Sequence, residues 1–109
     1  MGKLLYLGEY GVRSSIDYEN DSIQIIFNGD PTIPIQDALG FKIYYSPDGT
    51  TNNATLLCGT ANWVVLYENN NNTSSILINT GIDLLDTWYL NQIGISIINK
   101  YGEGEIYFY

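Results

Sequence analysis

Ile93-Gly94-Ile95-Ser96-Ile97-Ile98 is the run whose reading decides the fold. In extended chain successive side chains point to opposite faces, so Ile93, Ile95 and Ile97 share one face, with Gly94 and Ser96 on the other. A half-buried strand needs this pattern. Upstream, Ser75–Ile78 repeats it with Ile76 and Ile78. Further back, Trp63–Tyr67, Phe41–Tyr45 and Ser22–Phe27 are short runs of Ile, Val, Tyr and Phe, the residues that suit a pleated surface. Leu4–Tyr10 and Ile106–Tyr109 read as strands at the two ends. Turn chemistry separates the runs: Asn28-Gly29-Asp30-Pro31, Ser46-Pro47-Asp48-Gly49 and the asparagines of Asn69–Asn72. Gly and Asn there supply positive φ, and Pro presets φ at about −65°. No long segment has helical period, and Ile82–Leu90 has room for one helical turn at most. The expectation is an all-β chain, an antiparallel β-sandwich of about seven strands, forming one domain over residues 1–109.

From Ser22 onward the landmarks resemble a fibronectin type III or immunoglobulin-like module. Ser22–Phe27 followed by Pro31 is similar to that family's second strand, with Phe27 at the position where the family carries Trp. Phe41–Ser46, then Asp48-Gly49, resembles its third strand and the turn after it. Thr80-Gly81-Ile82 with Leu85, Thr87 and Tyr89 follows the loop into its sixth strand. Ile93, Ile95, Ile97, Asn99, Gly102 and Gly104 match that strand and the bend beyond. The resemblance implies a sandwich architecture and a spacer or binder without catalytic activity, of the kind found in adhesins and phage virions.

The charge balance limits the partners. Four Lys and Arg stand against twelve Asp and Glu, a net charge of −8. Affinity for phosphate backbones and anionic lipid comes from cations, so direct nucleic-acid binding and membrane association are not expected. Only Lys3, Arg13, Lys42 and Lys100 could help, and no basic patch is expected. The apolar start, Leu4-Leu5-Tyr6-Leu7, is too short for a signal peptide and lacks a small-residue cleavage site. No stretch approaches the ~18 apolar residues of a membrane span. The chain reads as soluble, at home in a virion or a cytoplasm. A lone Cys58 offers no intrachain disulfide, which leaves the core to hold the fold.

Chemistry at neutral pH loses most of its usual side chains here. With no His in the chain, Ser-His and Cys-His nucleophile pairs are impossible. Cys58, between Leu57 and Gly59, suits an inert small core position. Zinc lacks its ligands. Calcium needs only oxygens, and Asp17, Glu19 and Asp21 alternate along the chain as a candidate set. The same three acids suit a solvated strand end or turn, and they lack the Asp-x-Asp-x-Asp-Gly pattern of a calcium loop. No pair among the twelve acids is singled out for glycoside chemistry. Gly102-Glu103-Gly104-Glu105 has glycines but sets carboxylates where a phosphate would sit. No enzyme activity and no cofactor are expected.

Tyrosine is the remaining signal, with ten Tyr and two Trp. Tyr44 and Tyr45 are adjacent in a strand and so face opposite ways; one sandwich core cannot take both. Tyr101, Tyr107 and Tyr109 cluster near the end. Tyr is enriched at binding hot spots and stacks on sugars, and it also simply suits strands. Tyr44, Tyr45, Tyr101, Tyr107 and Tyr109 are therefore the candidate contact residues. The expected function is a structural or adhesive module acting through a protein partner or self-assembly, as in a capsid decoration, tail, fibre or surface adhesin. The alternatives are a small acidic inhibitor that mimics nucleic-acid charge and, third, a carbohydrate-binding module.

Overall fold

Two blocks of paired isoleucines organise the chain in a computed structural model, which describes residues 2–27, 37–68 and 74–109. Eight strands lie among the described residues: β1 (Arg13–Asp17), β2 (Ser22–Phe27), β3 (Gly40–Tyr45), β4 (Thr55–Glu68), β5 (Ser74–Asn79), β6 (Ile93–Asn99), β7 (Gly102–Glu103) and β8 (Tyr107–Phe108). All pairings are antiparallel, in the order β1-β2-β5-β4-β3-β6-β7, with β8 also on β6. The all-β expectation holds. The turn clusters at Asn28–Pro31 and Asn69–Asn72 fall outside the described residues.

In the first block Ile23 lies opposite Ile78 and Ile25 opposite Ile76. In the second, Ile97 lies opposite Phe41, Ile95 opposite Ile43 and Ile93 opposite Tyr45. Directly opposed apolar pairs are the unit of sheet stabilisation. These isoleucines and Phe41 are all buried, and they join Phe27, Ala61, Leu84, Leu5, Leu7 and Val12 in one core. Each fully buried aliphatic side chain contributes roughly 1.5–3 kcal/mol.

Strand β4 links the blocks. Its first part, Thr55–Ala61, pairs with β3, and its second, Asn62–Glu68, with β5. The Trp63–Tyr67 run predicted as a short strand is thus the second part of a 14-residue one. Register shifts between Phe41 and Tyr44, and between Val65 and Tyr67, show where the ladders are irregular.

The N-terminus corrects a prediction. Leu4–Tyr10 is not a strand; Leu7–Tyr10 is a 3-10 turn that ends on Gly11 in the left-handed region, φ 59°. Its alternation was a burial signal, since Leu5 and Leu7 are buried. Instead of entering a ladder the segment crosses the chain at Gly104, where a Cβ would lie 1.7 Å from the Leu5 carbonyl oxygen. The strand expected over Ile106–Tyr109 is present but shorter, as β8 at Tyr107–Phe108, and β7 at Gly102–Glu103 is a separate two-residue strand that the sequence did not signal. Arg13–Asp17, charged at both ends and short of apolar residues, gave no strand signal yet pairs fully with β2. Among the described residues no helix is long and apolar enough to cross a membrane.

Candidate binding surface

Of the five candidate tyrosines, three are half-buried and two are exposed. On β3 the pleat sends Tyr45 toward the core, where its ring stacks on Trp88 with centroids 4.8 Å apart. Tyr44 turns the other way. Its hydroxyl donates to Glu103 Oε2, which also accepts Ser96 Oγ at 2.6 Å, while Lys42 Nζ lies 3.5 Å from Glu103 Oε1. Three strands meet in this cluster: β3 through Lys42 and Tyr44, β6 through Ser96 and β7 through Glu103.

Burial, and then the Glu103 carboxylate, push the Tyr44 phenol up to about 12. Burial alone would raise Glu103, but bonds from Ser96 and Tyr44 and the charge of Lys42 outweigh it and hold the carboxyl below its ordinary range. At neutral pH the cluster is a neutral phenol, a carboxylate and an ammonium. A carboxylate with a lowered pKa is a poor base for Ser96, so the arrangement suits a latch between strands better than nucleophile activation.

Tyr107 meets Tyr6 edge to face at 6.1 Å, and its phenol is raised by burial and then by Tyr109 and Tyr6. Tyr101 and Tyr109 are exposed, at 51% and 54%. Lys100 Nζ sits 5.2 Å over the Tyr101 ring. Leu4 joins Tyr101 at the surface, 49% exposed. The sequence reading did not single out Leu4, although period-two alternation against buried Leu5 and Leu7 marks it as outward.

The candidate calcium set is not assembled into one cup. Asp17 caps its own turn, accepting Glu19 N and Asn20 N at 3.1 Å and Asn20 Nδ2 at 2.7 Å, and these bonds, the Asn20 side chain first, lower its pKa. Asp21, in the left-handed region with φ 52°, accepts Leu84 N at 2.9 Å. Among the described residues no three such ligands come together as a metal site. The fold instead draws Glu19 and Asp21 beside Asp83 and Asp86, with Tyr18, Leu84 and Leu85, around an open groove of about 570 Å³. These acids are scattered in sequence; the β1–β2 turn and the Asp83–Asp86 segment bring them together. Asp48 closes another turn, taking bonds from Thr50, Asn53 and Ser46 that hold it at about 2. Cys58 is half-buried against the core.

Compared with protein-family models, with curated proteins and with solved structures, the chain gives no match.

Proposed function

We propose that this chain is a non-catalytic, immunoglobulin-like β-sandwich that works by protein–protein contact, as a structural part of a larger assembly such as a phage or virus particle or a surface fibre. The strand order supports the architecture. Immunoglobulin sandwiches carry strands ABED in one sheet and CFG in the other. Here β1-β2-β5-β4 follows the first order and β3-β6-β7 the second, with β4 passing between them.

The observation that carries the function is the C-terminal edge. Among the described residues β8 pairs on one side, with β6, and the chain beyond it presents exposed Tyr109. An open edge strand can add to a partner's sheet, and exposed Tyr supplies contact area at low entropic cost. Replacing Tyr109 with a photo-crosslinking phenylalanine derivative, in cells or particles of the source, tests the reading. A discrete protein adduct is expected. Irradiation that leaves the chain free of any adduct would overturn it.

A second reading, a small acidic inhibitor, is favoured by the four carboxylates gathered at the groove. It requires binding to a basic target that weakens steeply by about 0.5 M salt, where exposed charges are screened. Salt-insensitive binding would exclude it.

A further inference from the structure

We propose that the turn between β6 and β7, with the N-terminal residues lying on it, is the surface by which one copy of this chain docks head-to-tail on the Asp83–Asp86 face of a second copy. The inference rests on the reading of the chain as a contact module, and names its partner. The patch is continuous. Asn99 Nδ2 donates to the Lys3 carbonyl at 2.8 Å, and a Cβ on Gly102 would meet Leu4 Cδ2 at 3.4 Å. Gly2 lies against the Tyr101 ring so closely that a Cβ there would be 1.7 Å from it, and Lys100 sits over the same ring. Lys3 reaches Glu9 at 3.5 Å, but with its side chain 68% exposed that pair holds it weakly.

Two of the four cations of the chain, Lys3 and Lys100, thus flank an exposed leucine and an exposed tyrosine. The counterpart is on the same molecule. Leu85, 50% exposed, stands between Asp83 and Asp86 at the groove. A leucine and tyrosine flanked by lysines fit a leucine flanked by carboxylates, in apolar contact and in charge.

The geometry also sets the symmetry. The lysine patch follows the last residue of β6, where Ile98 pairs with Gly40 at the start of β3. Leu85 and Asp86 precede Trp88, which stacks on Tyr45 at the other end of β3. The two surfaces therefore lie toward opposite ends of the β3–β6 ladder and cannot meet within one copy. A two-fold dimer through the patch would set lysine against lysine. Unlike surfaces give a heterologous contact, which propagates as a chain or closes as a ring.

Sedimentation velocity on the purified protein tests this through a charge swap. Wild type is expected to associate progressively with concentration, and less so in about 0.5 M salt. Lys3→Glu/Lys100→Glu and Asp83→Lys/Asp86→Lys, each checked for a native circular dichroism spectrum and melt, should each lose self-association by about tenfold or more. Mixing the two variants should restore it, because each then meets an opposite charge. Leu4→Ser, which leaves the charges intact, should weaken association as well. Wild type that stays monomeric to about 1 mM, the weak end of specific association, would overturn the proposal. Variants that associate like wild type, or a mixture that stays monomeric, would do the same. A monomeric wild type that still crosslinks to a different protein through residue 109 would overturn the head-to-tail contact alone and leave the contact-module reading standing.

Discussion

Tyr44 and Tyr45 are one residue type put to two uses by the pleat. Their opposite orientation is legible in sequence, because neighbouring strand residues must diverge. Their partners are not, since Glu103 lies 59 residues from Tyr44 and Trp88 reaches Tyr45 from outside its ladder. Tyr44→Phe deletes the hydroxyl that Glu103 accepts from, while Ser96 and Lys42 remain. A loss of about 1 kcal/mol is expected in urea unfolding, the scale of one hydrogen bond. The pH dependence follows from the raised phenol. The folded state keeps the Tyr44 proton after the unfolded chain has released it near 10.0, so its share of stability is whole below pH 10 and disappears as pH climbs toward about 12. Stability curves of Tyr44→Phe and wild type should converge over that window. Parallel curves between pH 10 and 12 would refute the assignment.

At the scale of elements, β6 was the most readable in propensity and register, yet it is buried on both faces, Gly94 and Ser96 included, where its alternation implied a half-buried strand. Even its small residues have a spatial reason: a Cβ on Gly94 would meet the Phe108 ring at 2.7 Å and Ile106 at 2.6 Å. The N-terminal segment was misread because an alternating burial pattern does not reveal whether the backbone enters a ladder. Leu5 packs instead against Gly104, and no local signal records a contact between residues so far apart. Gly104→Ala must move the Leu5 carbonyl or the last strand, and a cost of about 3 kcal/mol is expected, the upper range for overpacking. Hydrogen exchange should show the loss of protection concentrated at Leu5–Leu7 and at Gly104, whose N–H bonds the Ile97 carbonyl at 2.9 Å. Wild-type stability in Gly104→Ala would mean that the crossing is looser than described.

On the whole molecule, a charge of −8 is carried on extents of 36 × 30 × 21 Å. At about 0.01 M salt the Debye length is about 30 Å, comparable with the molecule, and its carboxylates repel one another across its width. Melting temperature should therefore rise between about 0.01 and 0.3 M sodium chloride; a fall would show that ion pairs outweigh self-repulsion. By itself the sequence determined the all-β class, the isoleucine faces of β5 and β6, and a chain short of the usual catalytic side chains. These follow from period-two patterning and composition, which act locally. The tertiary structure alone decided which acids gather at one groove, which tyrosines remain outside, and that Leu4, Lys3, Lys100 and Tyr101 share one surface. Each of these depends on strand order and on contacts between residues distant in sequence, and such contacts leave no periodic trace in the chain.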